Sequence, residues 1–199
     1  MDTYTYNISD AIIHYNQTLK YGVKQSDKHM DGFLHLFKQE FERKNMDVKE
    51  KHKATVKGGI LNKRWDLVAS NNKLKCAIEF KSILSSRFGK HYSSRVEEAI
   101  GVGVDAKAKN KKTKLGYLII LQNDDQKASK HHSKIHNFCY TIVHQYKIYN
   151  SAIAIEVNND KWEYLFNDYK SFMSKFNHKN LFDILKWTSS KIVRLKNDG

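Results

Sequence analysis

The stretch that most limits the fold is Arg64–Lys81, Arg-Trp-Asp-Leu-Val-Ala-Ser-Asn-Asn-Lys-Leu-Lys-Cys-Ala-Ile-Glu-Phe-Lys. Aromatic, β-branched and aliphatic residues fill two arms around Asn71-Asn72, and Asn tolerates the positive φ that tight hairpin turns demand. The stretch reads as two antiparallel strands. With a two-residue turn, Ser70 faces Lys73 and Asp66 faces Ala77. Glu79 then lies diagonal to Asp66 on the same face, and Lys81 follows two residues further on. A slip of one residue would turn Glu79 and Lys81 to the opposite face. The pleat therefore gathers two carboxylates and one ammonium on one side of a hairpin.

That gathering has a chemical use. Diagonal neighbours lie about 7–8 Å apart at the backbone, near enough for both carboxylates to reach one small hard cation. Mg²⁺ takes one or two carboxylates, keeps several waters and shares its remaining positions with phosphate oxygens. A metal-bound water is more readily deprotonated, and a nearby Lys can orient it or help remove its proton. Asp66, followed at a distance by Glu79-x-Lys81, has the spacing of PD-(D/E)XK nucleases. The plainer alternative is a solvated strand face carrying a salt bridge, and spacing alone leaves both open.

Charge narrows the choice. Across 199 residues there are 35 Lys+Arg against 21 Asp+Glu, a net of +14. Such an excess works against compactness and points to an anionic partner. Nucleic acid fits best, because a phosphate backbone rewards many spread cations. An anionic membrane is the competitor, but the sequence shows no long apolar segment and no lipidation signal. The length suits one domain with a real core. Cys76 and Cys139 have no paired-ligand spacing and read as reduced, packed thiols of a cytoplasmic protein. No signal-peptide pattern is present at the N-terminus.

The rest of the chain alternates helical and strand patterns. Residues 8–21 and 27–44 read as helices, the second with Phe33, Leu34, Phe37 and Phe41 at helical spacing. Glu40 falls within that apolar stripe and needs a partner. It is either a further metal-site carboxylate or half of an ion pair with a neighbouring Lys. Residues 49–63 are basic and carry Gly58-Gly59, consistent with an irregular strand and a loop. The polar segment 82–95 emerges from the end of the Glu-x-Lys strand. Its Arg87, Lys90, His91, Ser93, Ser94 and Arg95 are suited to phosphates and base edges. Ser94 with Glu97 makes a capping box for a helix over 95–107, with Val96, Ile100 and Val104 inward. The run Leu115–Leu121 is short enough for a buried central strand. His132 and His136 lie one helical turn apart, but no further metal ligands are evident, and residues 133–149 read as a helix. Residues 151–157 read as a strand, and 160–176 and 180–191 as amphipathic helices that pack on the core or form a dimer surface.

Three segments together resemble the XhoI family of type II restriction endonucleases. They are Gly22–Phe33; Trp65-Asp-Leu-Val68 with Ala77-Ile-Glu-Phe-Lys-Ser82; and Phe88-Gly89, Arg95, Glu97–Gly101 and Leu115–Leu118. Their order and rough spacing are the family's, over about residues 20–125. The resemblance implies an α/β fold with a PD-(D/E)XK core, a mixed sheet flanked by helices, as a single nuclease domain with its centre over about 28–157. It implies a homodimer and Mg²⁺-dependent cleavage of double-stranded DNA at a short palindrome, CTCGAG being the family's common target. It maps Asp66, Glu79 and Lys81 onto the catalytic triplet, with the Phe80 carbonyl joining Asp66 and Glu79 around the metal. One departure concerns DNA reading: the family's segment after Phe-Gly is rich in Asn, whereas this chain has Lys90-His-Tyr-Ser-Ser94. A repair-type nuclease of relaxed specificity and an inactive basic DNA-binding module remain the two rivals.

Overall fold

A computed structural model of the chain describes residues 5–20, 27–124, 127–159 and 161–176. Its hub is the apolar run read as a central strand. Strand β6 spans Lys114–Gln122, and everything between its two end residues is buried. A strand covered on both faces belongs inside a sheet with helices above and below. Strands β5 (Lys75–Leu84) and β7 (Ser151–Asn158) pair parallel to β6 on either side. Outside them, β4 (Leu67–Ser70) runs antiparallel to β5, β1 (Asp47–Glu50) to β4 and β8 (Lys161–Phe166) to β7. The sheet order is β1-β4-β5-β6-β7-β8, and β2 (Thr55–Lys57) and β3 (Asn62–Arg64) form a separate ribbon.

Period-2 alternation decides what each face meets. Ile78 and Phe80 of β5 and Leu118 and Ile120 of β6 pack with helices α1 (Ile8–Lys20), α2 (Asp31–Arg43) and α5 (Tyr169–Ser174). Ala77 and Ile83 of β5 and Tyr117 and Ile119 of β6 face α3 (Phe88–Lys109), α4 (His132–Tyr140) and the small ribbon. Glu79 and Lys81 fall on this second face. Gly103 of α3 is required by close packing: a Cβ there would lie 2.3 Å from Ile148 Cγ2 and 2.9 Å from Tyr149 Cε2.

Several elements differ from their sequence patterns. Helix α3 begins at Phe88, so Ser94 lies inside it and caps nothing. Its buried positions are Phe88, Ala99, Gly103 and Ala106, while Val104 is exposed. The helix expected over 133–149 ends in a π-type turn at Thr141–Gln145; beyond it Tyr146 is exposed and Tyr149 is buried. The segment read as one helix over 160–176 divides into β8 and α5. Trp162 and Tyr164 alternate toward the α1/α2 side and pair with Val157 and Ile155. Asp168 then starts α5 by accepting the Ser171 N–H at 2.8 Å. The helix expected over 180–191 lies outside the described residues. No helix among the described residues is long and apolar enough to cross a membrane.

Candidate active site

The hairpin turn is longer than its Asn-Asn pair suggests. Ser70 pairs with Lys75, leaving Asn71–Leu74 as a four-residue turn. Asn71 closes it: its side-chain oxygen accepts the N–H groups of Lys73 and Leu74, both at 2.9 Å, and its own N–H reaches the Leu74 carbonyl at 2.9 Å. The register moves by two residues, so no side chain changes face. Carried one residue past Leu67↔Ile78, the new register sets Asp66 opposite Glu79.

Asp66 stands where the chain leaves β3 and enters β4. Buried Trp65 anchors that crossing, its N–H donating to Ala54 O at 2.8 Å, while Lys51 N–H donates to Asp66 O at 2.9 Å. The Asp66 carboxylate accepts the Phe80 N–H at 2.7 Å. It is thereby fixed against the strand that carries Glu79 and Lys81.

Glu79 is 4% exposed. Its Oε1 is held by Lys81 Nζ at 2.6 Å and Lys63 Nζ at 3.2 Å. Its Oε2 is buried without a hydrogen-bond partner among the described residues, as is the Tyr117 hydroxyl on the adjacent strand position. Lys81 also reaches Glu98 Oε1 at 3.0 Å, Lys63 reaches it at 3.3 Å, and Arg95 Nη1 meets Glu98 Oε2 at 3.0 Å. The result is a partly buried network of two carboxylates and three cations, with Asp66 at its edge.

The charges bias each other. Burial pulls the Lys81 pKa down, but Glu79 and Glu98 outweigh it and hold the ammonium above the ordinary lysine value. Burial pushes the Glu98 carboxyl up, yet Lys81, Lys63 and Arg95 bring it down to about 2. The folded state therefore prefers the Glu98 carboxylate. The stability this contributes is present above the ordinary carboxyl value and is lost as pH falls toward about 2. With 29% of the side chain exposed, solvent screening reduces the contribution. Glu98→Gln is expected to cost about 1–2 kcal/mol at neutral pH and progressively less as pH falls below the ordinary carboxyl value toward about 2; denaturant titrations of both proteins at neutral pH and at about pH 3 measure it.

A sequence comparison decides the family. The family model for restriction endonuclease XhoI matches residues 14–161, about three quarters of the 199-residue chain. The chain belongs to the XhoI restriction endonuclease family. No curated protein matches it. A solved structure with partial likeness is the crystal structure of AF1548, a protein of unknown function. The two share 15% identity over 61% of this chain and 54% of that one, with a TM-score of 0.28. This chain thus spans about half the length of that protein, and the likeness is too distant to carry an argument.

The fold divides this XhoI-family member's sequence-predicted site residues. Asp66, Glu79 and Lys81 come together. Glu40 does not join them: α2 covers the opposite face of the sheet, and Glu40 pairs with Lys44 at 3.2 Å and Arg43 at 3.9 Å. Of the DNA-contact candidates, Arg87, Lys90, Ser93 and Ser94 are exposed and His91 and Arg95 are half-buried. At 3.6 residues per turn, Lys90, His91, Ser94 and Arg95 share the side of α3 that presents Glu98, whereas Ser93 points about 140° away. Arg95 is committed to Glu98 and so braces the site. Glu98, Lys63 and Tyr117 escaped the sequence reading. Each is an ordinary surface or core residue until the fold brings it to Glu79.

Proposed function

We propose that this chain is a type II restriction endonuclease with a PD-(D/E)XK core. As a homodimer it hydrolyses phosphodiester bonds of double-stranded DNA at a short palindromic site, with Mg²⁺ as cofactor. The observation that carries this reading is Glu79: a buried carboxylate with one oxygen held by two lysines and the other without a partner among the described residues. A buried carboxylate oxygen without a donor is costly, and a divalent cation shared with Asp66 satisfies it. Those oxygens, with the Phe80 carbonyl, form the hard donor set that Mg²⁺ takes.

Asp66 and Glu79 would hold Mg²⁺ there, and the ion would supply charge neutralisation at the scissile phosphate and a more acidic water. Lys81, kept protonated by Glu79 and Glu98, offsets phosphate charge and donates a hydrogen bond to a phosphate oxygen or to the attacking water. Glu98, braced by Arg95 and Lys63, positions Lys81. Hydrolysis leaves a 5′-phosphate and a 3′-hydroxyl. Arg87, Lys90, His91 and Ser94 line the approach from the N-terminal turns of α3, and a helix fits the major groove. A two-fold DNA site suits a two-fold protein.

Digestion of plasmid DNA with Mg²⁺, followed by sequencing of the ends, tests the reading. The expected result is discrete fragments cut symmetrically about one palindrome, CTCGAG being the first candidate. A smear with no common end would replace it with a nuclease of relaxed specificity. DNA binding without any cleavage would replace it with an inactive binding module.

A further inference from the structure

Toward the β8 edge of the sheet, on the face that also carries Glu79, lies a second cluster of ligand-type side chains that the nuclease reading does not use. Glu156 of β7 and Glu163 of β8 are directly paired across the antiparallel ladder. His132, at the start of α4, contacts Glu156 through Nε2 and Oε2. One ligand atom from each of His132, Glu156 and Glu163 lies within 4.8 Å of the other two. Glu156 is buried, and its other oxygen accepts the Asn123 side-chain N–H at 2.8 Å. The same Asn123 is anchored to β7 through its backbone N–H, at 2.8 Å from Val157 O.

Two features argue against a simple surface ion pair. Directly opposed carboxylates on neighbouring strands repel each other unless a cation lies between them. In a chain with 35 Lys+Arg, no lysine or arginine among the described residues forms an ion pair with Glu156 or Glu163. The cluster also opens into a cleft of about 410 Å³, with His136, one turn beyond His132, on its wall. The sequence shows the two histidines, while the carboxylates that complete the set arrive from strands that only the fold places beside them.

We propose that His132, Glu156 and Glu163 bind a divalent transition ion of the zinc class. One imidazole nitrogen and two carboxylate oxygens are a donor set that Zn²⁺ accepts, with a further position left for water or a cleft ligand. Asn123 fixes Glu156 as an outer-shell partner. The ion clips the N-terminus of α4 to strand β8, which among the described residues pairs only with β7. This site is separate from Asp66 and Glu79. Glu156 is in register with Ile83, two strands from β5, and strand spacing then puts it roughly 16 Å from Glu79. The inference therefore stands whether or not the nuclease reading does.

Cobalt titration of the untagged, chelator-treated full-length protein tests the proposal. Co²⁺ bound to imidazole and carboxylate gives visible absorption bands. These are expected to saturate at one equivalent and to be displaced by Zn²⁺, with excess Mg²⁺ leaving them in place. Glu163→Gln changes an exposed side chain without altering packing, and it should weaken Co²⁺ binding at least about tenfold. His132→Gln should remove the bands. Zn²⁺ should raise the melting temperature of the wild type and, at the same concentration, raise that of Glu163→Gln by less. Absence of visible bands in the wild type, or equal titrations of the wild type and Glu163→Gln, would overturn the site.

Discussion

Glu79→Gln is expected to lower DNA cleavage by about 10³-fold or more, equivalent to about 4 kcal/mol of transition-state stabilisation. The substitution keeps the shape of a side chain that is 4% exposed and removes its charge. It converts the buried, partnerless Oε2 into part of a neutral amide, a poor ligand for a hard cation. Lys81 loses the charge of its 2.6 Å partner, not an acceptor oxygen, and keeps Glu98 at 3.0 Å, so the local packing survives. Binding of the DNA duplex should be retained or improved, because one negative charge facing the phosphates is gone. A mobility-shift assay beside a cleavage time course separates the two effects. Glu97→Gln, an exposed change on α3, is the control and should cleave at the wild-type rate. Equal cleavage by Glu79→Gln and wild type would remove Glu79 from the chemistry.

How far the sequence disclosed this arrangement depends on whether each signal was local. The run 115–121 identified β6 because a short, wholly apolar stretch has few other uses. The Asp66, Glu79 and Lys81 grouping was also legible, despite the wrong turn, because a two-residue error in register preserves the pleat. The turn is longer than Asn71-Asn72 suggests because the Asn71 side chain accepts the Lys73 and Leu74 N–H groups and closes a four-residue loop. Helix α3 starts earlier than expected because Gly89 and Ser93-Ser94 resemble a loop, while buried Phe88, stacked on Tyr92 at 4.7 Å, fixes the first turn. β8 was hidden because Trp162 and Tyr164, with the aromatics that follow, satisfy both periods over a short window. Glu98 lies in a segment that carries the family resemblance, yet nothing local marked it as a neighbour of Glu79. Beside Glu97 it looks solvated, and only the approach of β5 and β3 supplies Lys81 and Lys63.

Phe37→Ala is expected to cost about 3–5 kcal/mol in folding free energy, the range for removing a fully enclosed aromatic ring. Phe37 is 0% exposed. Its ring centroid lies 5.3 Å from that of Phe80, 5.3 Å from Tyr169 and 5.4 Å from Phe172. One side chain of α2 therefore joins β5 to α5, and alanine leaves a cavity that three elements cannot all move to fill. Phe37→Leu restores most of the volume and should recover more than half of the loss. The position also tests how the two faces of the sheet communicate. Phe80 touches Phe37 on one face, while its N–H holds the Asp66 carboxylate at 2.7 Å. Well below the melting temperature, Phe37→Ala should keep much of its cleavage activity and lose it steeply on warming. Glu79→Gln should show the reverse, with little change in stability and almost no cleavage at any temperature. Paired denaturant titrations and cleavage assays over a temperature series measure both. A loss below about 1 kcal/mol for Phe37→Ala would mean that α2 does not pack on β5 through this ring.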